Sequence, residues 1–249
     1  MFSDIDSVPN HVSRLGRGAG LAGALLLCLI ITLSAAAGRA RADGTVAPVT
    51  APVHVAFLGD SYTFGVGATE PTNGYAYLVA RDENWTSRVV GLPGSGYVRV
   101  AIRDDKNISA GLSAVIAAQP QVVVVECGHN DAMPRVAYTQ TEAAALKDLG
   151  ALRAALPNAT IVVVGPIWLN GYPDRKALFV RDAIHRAQQR IPGTLWIDPI
   201  AQRWFTGSWT KHTGDDATMI NYAAGHPDNL GYRHIATRLE ADLRSFGVN

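Results

Sequence analysis

Ser61 and His226 have the chemistry of a nucleophile and its general base. Ser61 stands in the segment Gly59-Asp60-Ser61-Tyr62, directly after a short apolar run. A serine hydroxyl is a weak nucleophile until a base removes its proton, so it needs a histidine within hydrogen-bond reach. His226, which comes just before the last predicted helix, is the candidate base. This pair of residue types predicts attack by a serine oxygen on a carbonyl carbon.

Two further residues could stabilise the negative charge that such an attack creates. A tetrahedral intermediate needs hydrogen-bond donors aimed at its oxyanion. Gly94 offers a backbone N–H where no side chain blocks approach, and Asn130 offers its carboxamide N–H. Gly91 or Gly96 could instead be the glycine donor, and Asn130 could simply satisfy loop backbone groups.

The chain that must position these residues alternates strand patterns with helical patterns. Five short apolar runs predict strands at residues 53–58, 88–90, 121–125, 160–164 and 195–197. Helices are predicted at residues 75–81, 110–118, 141–156, 174–190 and 230–246. Continuous apolar strands separated by helices are typical of a parallel sheet covered on both faces. We therefore predict one α/β domain built on a five-stranded parallel sheet.

The candidate residues follow the predicted strands. Ser61 comes after the first strand, Gly94 after the second and Asn130 after the third, whereas His226 lies in the long segment before the last helix. Functional residues of parallel α/β sheets gather at the carboxyl ends of the strands. The four residues are therefore expected to meet at one edge of the sheet.

Four sequence blocks resemble those of the SGNH hydrolases, the GDSL family of esterases and lipases. In chain order they are Phe57-Leu58-Gly59-Asp60-Ser61, Gly91-Leu92-Pro93-Gly94, Gly128-His129-Asn130-Asp131 and His226-Pro227-Asp228-Asn229-Leu230-Gly231-Tyr232. The resemblance spans about residues 53–245. It implies the flavodoxin-like three-layer α/β/α sandwich of that family. It also implies a catalytic set of Ser61, Gly94, Asn130 and His226, with no cofactor.

One position departs from the family pattern. The family carries an aspartate three residues before its histidine, where the carboxylate orients the imidazole and stabilises its charged form. Here that position is Ala223. Some members of the family work with a Ser-His dyad whose histidine is held by a backbone carbonyl, and we favour that interpretation. Alternatively, Asp215 or Asp216 could supply the carboxylate from the preceding loop.

Other polar and aromatic residues near these blocks have simpler interpretations. Asp60 and Asp131 are expected to anchor their loops through backbone amides, and His129 is expected to have no catalytic role. The histidines and carboxylates show no zinc-ligand spacing, so no metal is predicted. Five aromatic residues on or near the site loops could stack on sugar rings, with core packing expected for at least half of them. They are Tyr62, Tyr97, Trp168, Trp204 and Trp209.

The N-terminus has the pattern of an export signal. Arg14 and Arg17 precede an uncharged stretch at residues 18–38 with an apolar centre, and Ala40-Arg41-Ala42 follows it. This pattern predicts a signal peptide at residues 1–42, a linker at 43–52 and the folded domain at 53–249. An uncleaved membrane anchor at residues 18–38 is the alternative. In both cases the domain is expected to be secreted or otherwise extracytoplasmic.

The composition narrows the classes of partner. The 22 Lys and Arg against 21 Asp and Glu leave no charge excess for binding nucleic acid. Two cysteines are too few for a disulfide framework. We expect a monomeric esterase whose substrate is a small ester, an acylated glycan or a lipid, with an acyl group such as O-acetyl. An acyltransferase with the same site and a catalytically silent glycan-binding module are the alternatives.

Overall fold

The computed structural model of the chain describes residues 52–133, 136–208 and 210–248. The predicted signal peptide and nearly all of the predicted linker lie outside these residues, so the domain boundaries stay predictions. Among the described helices, none combines the length and the apolar character that a membrane crossing requires.

The core of the fold is a parallel sheet of five strands. Its spatial order is β2-β1-β3-β4-β5, and every neighbouring pair is parallel. The chain therefore adds β2 on one side of β1 and then β3, β4 and β5 on the other side. The strands are β1 His54–Gly59, β2 Thr86–Gly91, β3 Val122–Glu126, β4 Thr160–Val164 and β5 Thr194–Ile197.

Six α-helices of the described residues accompany the sheet. They are α1 Ser61–Phe64, α2 Tyr75–Asp82, α3 Leu112–Ala117, α4 Tyr138–Ala155, α5 Arg175–Gln189 and α6 Asn229–Ser245. Buried residues of α2 and α6 share one apolar cluster with the sheet, and those of α3, α4 and α5 share the other. The predicted flavodoxin-like three-layer α/β/α sandwich is therefore confirmed.

Alternate residues of the strands supply these two apolar clusters. On β1, Phe57 packs in the cluster with α2 and α6, whereas Leu58 packs in the opposite one. On β3, Val124 and Val125 divide in the same way. Burying an aliphatic or aromatic side chain contributes about 1.5–3 kcal/mol, so a strand buried on both faces is held firmly. This is why β1, β3 and β4 read as almost continuous apolar runs, whereas β2, at the edge of the sheet, begins with exposed polar residues.

The elements that the sequence did not predict are all short. Helix α1 has only four residues, and two short antiparallel ribbons precede α6. The ribbons pair β6 Gly207–Ser208 with β7 Thr213–Gly214, and β8 Ile220–Asn221 with β9 His226–Pro227. Such elements are too short to show a hydrophobic period, and they carry two of the candidate site residues.

Candidate active site

The turn from β1 into α1 positions the Ser61 hydroxyl. Asp60 caps the helix, because its carboxylate accepts a hydrogen bond of 2.9 Å from the N–H of Tyr62. A side chain at Gly59 would put its Cβ 2.1 Å from the Glu126 carbonyl oxygen and 2.2 Å from Oγ1 of Thr63. Only glycine therefore allows this tight turn, which makes Ser61 the first residue of α1.

The structure brings Ser61 and His226 into direct contact. Nε2 of His226 lies 2.7 Å from Oγ of Ser61, although the two residues are 165 positions apart in the chain. His226 stands on β9, in the ribbon that precedes α6. Ser61 is only 7% exposed, so the contact is largely shielded from water. This is the geometry that a serine nucleophile and its base require.

A backbone carbonyl holds the other side of the His226 ring. Nδ1 lies 2.7 Å from the carbonyl oxygen of Ala224. Because a carbonyl oxygen can only accept, Nδ1 must carry the proton of the neutral ring, and Nε2 is left as the acceptor for the Ser61 hydroxyl. The imidazole is therefore held in the tautomer that can remove a proton from Ser61.

Asn221 shapes the turn that presents this carbonyl, and the sequence analysis did not single it out. Its side-chain oxygen accepts from the N–H of Ala224 at 3.2 Å, and its backbone oxygen accepts from the N–H of Gly225 at 2.9 Å. Its amide also donates to the Gly67 carbonyl at 2.9 Å. These bonds tie the turn before His226 to the segment after α1. Asn221 therefore supports the orientation of the His226 ring.

Asp215 does not occupy the place of the missing aspartate. Its carboxylate accepts hydrogen bonds of 2.8 Å from both the N–H and the hydroxyl of Thr206. The side chain of Asp216 lies outside the described part of the structure. Since Nδ1 of His226 is paired with Ala224, the alternative in which Asp215 orients the histidine is wrong.

Asp215→Asn is expected to change kcat for ester hydrolysis by less than about threefold. The reason is that the partner of His226 Nδ1 is a backbone oxygen, which this substitution leaves in place. Steady-state kinetics on the purified variant measures the effect, and its thermal midpoint reports any loosening of the Thr206 loop. A drop approaching the roughly 10⁴-fold loss known for a triad aspartate would contradict this arrangement.

Burial sets the proton affinity of the His226 ring. It lowers the pKa of His226 below the ordinary 6.5, and the Ala224 carbonyl opposes this effect by favouring the charged ring. Only the neutral ring can take the serine proton, and a lowered pKa keeps the ring neutral to lower pH. The acid limb of kcat/KM is therefore expected to have its midpoint below pH 6.5.

A pH–rate profile of kcat/KM checks this midpoint, and Ala223→Asp provides the comparison. A carboxylate beside the imidazole favours the charged form and raises its pKa, so this variant should move the acid limb upward. A wild-type midpoint above 6.5 would contradict the lowered pKa of His226.

Gly94 is the glycine best placed to donate to an oxyanion. It shares a cavity wall with Ser61 and His226, and its φ of +83° is a conformation that favours glycine. Gly96 donates its N–H to the Arg99 carbonyl at 2.8 Å, and Gly91 lies inside β2. Within the described residues, the Gly94 N–H meets no protein acceptor. The first N–H of α1, on Ser61, likewise has no partner within its own helix.

Asn130 reaches the same cavity, but its amide is already engaged. Its Nδ2 donates to the Ser95 carbonyl at 2.8 Å and to Oδ2 of Asp60 at 3.2 Å. The sequence analysis offered this amide as an oxyanion donor or as a donor to loop backbone groups, and the bond to Ser95 is of the second kind. For Asn130 to donate to a bound oxyanion, the longer bond to Asp60 is the one that must be exchanged.

The two neighbouring aspartates anchor loops, as predicted. Asp131 accepts from three consecutive backbone amides, at 2.7 Å from Tyr97, 3.0 Å from Val98 and 2.8 Å from Arg99. Burial raises the pKa of Asp60 to about 7, and the nearby charge of Asp131 adds to this rise.

His129 sits beside the site without touching the Ser61 hydroxyl. Its Nδ1 lies 3.2 Å from the Ile167 carbonyl, and its ring centroid is 5.5 Å from that of Tyr62 and 4.8 Å from that of Trp168. Burial lowers the pKa of His129 to about 4, so the ring is neutral near pH 7. These contacts fit a packing role for His129.

The predicted aromatic set divides by burial. Tyr62, Tyr97 and Trp204 are buried in the core, whereas Trp168 is half-buried and lines a cavity next to the site. Trp209 lies outside the described residues. In the part of the chain that the structure describes, no group of three His, Cys, Asp or Glu side chains could hold a metal ion.

The Ser61–His226 pair opens into a cavity of about 720 Å³. Gly94 and Asn130 form part of its wall. Apolar side chains form another part, namely Phe64, Val66, Pro93, Ile102 and Met133. A second cavity of about 720 Å³ adjoins the first, and His129 and Met133 line both.

Comparison with known proteins identifies the family. The sequence model of the GDSL-like lipase/acylhydrolase family matches residues 57–234, which is well over half of the chain and includes all four candidate residues. The chain belongs to this family. It is therefore a GDSL hydrolase, and the resemblance carried by the four sequence blocks is confirmed.

One sequence relative is named a GDSL lipase, and two solved structures share the fold. This chain is 26% identical over 200 residues to a GDSL lipase of Mycobacterium tuberculosis, and the alignment covers 74% of this chain and 79% of the relative. A family two carbohydrate esterase from Clostridium thermocellum, solved with cellohexaose, shares the fold with a TM-score of 0.61 and 18% identity, covering 80% of this chain and 67% of that one. A salicylyl-acyltransferase from a tetracycline biosynthetic pathway also shares the fold, with a TM-score of 0.60 and 15% identity, covering 80% of this chain and 56% of that one.

Proposed function

We propose that this GDSL hydrolase is an exported serine esterase that cleaves acyl esters, such as O-acetyl esters, of a cell-envelope glycan, a lipid or another small molecule. Ser61 is the nucleophile and His226 is the general base. The observation that carries the proposal is the 2.7 Å contact from Ser61 Oγ to His226 Nε2, with Nδ1 held by the Ala224 carbonyl.

The proposed reaction has two steps. In the first, Oγ of Ser61 attacks the ester carbonyl while Nε2 of His226 takes the hydroxyl proton. The tetrahedral intermediate collapses as the imidazolium gives this proton to the leaving alcohol, and the acyl group stays on Ser61. In the second step, His226 takes a proton from water, the hydroxide attacks the acyl-enzyme, and the acid leaves as Ser61 regains its proton.

Three donors would hold the oxyanion in both steps. They are the N–H groups of Ser61 and Gly94 and the side-chain amide of Asn130. The amide of Asn130 would turn one N–H from Asp60 toward the oxyanion as the negative charge develops. The two backbone N–H groups need little rearrangement during the reaction, which is why preorganised donors of this kind lower the barrier.

The surroundings of the site support an ester with both apolar and sugar-like parts. Phe64, Val66 and Met133 offer an apolar wall for an acyl chain. Trp168, half-buried beside His129, offers a ring face on which a sugar could stack. Export from the cytoplasm follows from the predicted signal peptide at residues 1–42, and we propose that the enzyme acts as a monomer.

The two alternative functions differ from this proposal in testable ways. An acyltransferase would use the same acyl-enzyme and replace water with an alcohol, as expected of a fold that a salicylyl-acyltransferase shares. A silent binding module would not need to keep Ser61 in contact with His226, and that contact is present. The mouth of the cavity, where Ile102 is 92% exposed, is open to water and to an alcohol acceptor alike.

Hydrolysis of p-nitrophenyl esters of increasing acyl length by the full chain tests the proposal. We expect release of nitrophenol with a stoichiometric amount of free acid, and the series defines the acyl length that the apolar wall accepts. Added glycerol or a sugar alcohol measures transfer in the same assay, because acyl transfer would lower the yield of acid. Absence of turnover with every ester would contradict the proposal.

A further inference from the structure

The charged side chains that line the nucleophile cavity are basic. Arg99 and Arg103 both line it, and among the described residues no Asp or Glu side chain does. The adjoining cavity adds Arg175 and Lys176, together with one acidic residue, Asp174. The mouth of the site therefore carries an excess of positive charge, although the whole chain is close to neutral.

The carboxylates near these basic groups are committed to the backbone. Asp174 caps α5, and its carboxylate accepts from the N–H of Ala177 at 2.8 Å. Asp131 binds three backbone amides; burial raises its pKa, and those amide bonds and the Arg99 charge oppose the rise. Arg103 forms no ion pair with a carboxylate in the described part of the chain. Neither Asp104 nor Asp105, which follow it, lines either cavity.

The two arginines stand on a loop that is held in place and that also carries Gly94. The three bonds to Asp131 fix its start at residues 97–99. Backbone bonds from Ala101 N to Lys106 O at 2.8 Å and from Asp105 N to Ala101 O at 3.0 Å close the turn that contains Arg103. The backbone that carries the two arginines is therefore ordered, and both side chains line the cavity that Gly94 also lines.

We infer that Arg99 and Arg103 form an anion-binding subsite and that the substrate is an ester carrying a carboxylate or a phosphate. Guanidinium groups match these anions in shape, and each can donate two parallel N–H bonds to them. Positive charge around a partly apolar cavity also speeds the encounter with an anionic substrate. This inference rests on the proposed esterase function and adds the charge of the substrate to it.

Pairs of esters that differ only in charge test the inference. One pair places the charge on the acyl part: mono-4-nitrophenyl glutarate against its neutral terminal amide. The other pair places it on the alcohol part: 4-acetoxybenzoate against 4-acetoxybenzamide. We expect the full chain to prefer the anion in at least one pair by about tenfold or more in kcat/KM, as for a charge-assisted hydrogen bond. The pair that shows the preference locates the anion.

Variants of the two arginines test whether they cause the preference for the anionic ester. Arg99→Gln combined with Arg103→Gln should bring the ratio of kcat/KM for the anionic and neutral esters close to one. Arg88→Gln removes the same charge from an exposed position on β2 outside both cavities, and it should leave the ratio as in the wild type. A ratio near one in the wild type for both pairs, or a ratio that survives the double variant, would overturn the inference while the esterase function stands.

Binding to Ser61→Ala separates this inference from the proposed function. Equilibrium dialysis of the four esters against this variant needs no turnover. Tighter binding of the anionic member, by about tenfold and lost on adding the two arginine substitutions, supports the subsite even if the wild type hydrolyses none of the esters. Equal binding of the anionic and neutral members would overturn it.

Discussion

Ser61→Ala is expected to lower kcat/KM for p-nitrophenyl ester hydrolysis by about 10⁴-fold or more. The substitution removes the oxygen that lies 2.7 Å from His226 Nε2 and that forms the acyl-enzyme. Losses of this size follow removal of the nucleophile in serine hydrolases, where the residual rate comes from the oxyanion donors and from substrate binding. Initial-rate kinetics with wild-type and variant protein prepared side by side measures the effect.

The fold should survive this change. The hydroxyl of Ser61 makes one hydrogen bond, which is worth about 0.5–1.5 kcal/mol, so the thermal midpoint should fall by only a few degrees. Ser87→Ala, the same change at an exposed position on β2, is the matched control and should keep full activity. Turnover of Ser61→Ala within tenfold of the wild type, in protein free of contaminating esterase, would contradict Ser61 as the nucleophile.

Asn130→Ala is expected to lower kcat by about 10²–10³-fold, equivalent to about 3–4 kcal/mol of transition-state stabilisation. The side-chain amide would strengthen its bond to the carbonyl oxygen only as that oxygen becomes negative, so the loss should appear in kcat rather than in KM. Separate determination of kcat and KM distinguishes the two.

Asn130 also supports the loops around it, so this prediction needs a control for structure. Its amide bonds to Ser95 and Asp60 are lost in the same variant. Asn73→Ala is the control. The Asn73 amide donates a hydrogen bond of 3.0 Å to the hydroxyl of Thr69 and does not line the nucleophile cavity, so the kinetics of this variant should match the wild type. A change confined to KM in Asn130→Ala would make Asn130 a substrate-binding residue instead of an oxyanion donor.

The sheet and its helices could be predicted because their signals are local. The valine run that forms β3 and the apolar faces of α5 and α6 repeat over several residues, and burial of those residues is what stabilises the elements. The predicted strands and long helices lie within a few residues of the observed ones. Helix α1 and the ribbon that carries His226 were missed, because a few residues in a turn show no period.

The candidate residues could be named from the sequence because each stands in a recognisable block. The hydrogen-bond partners that orient these residues could not be named from the sequence. The partner of His226 Nδ1 is the Ala224 carbonyl, and a backbone oxygen leaves no mark in a sequence. Asp215, which the sequence made a plausible substitute for the missing aspartate, binds Thr206 instead, because the ribbon of β6 and β7 directs it there.

The sequence by itself determined the α/β class, the family and the four candidate residues, since these depend on residue type, spacing and hydrophobic period. Only the tertiary structure decided which atoms meet across the sheet: the 2.7 Å contact of Ser61 with His226, the engagement of Asn130 by Asp60, and the two arginines at the mouth of the cavity. The physical reason is that such contacts depend on the strand order and on the paths of the loops. Those features are set by packing and hydrogen bonds between segments far apart in the chain, not by the residues next to one another.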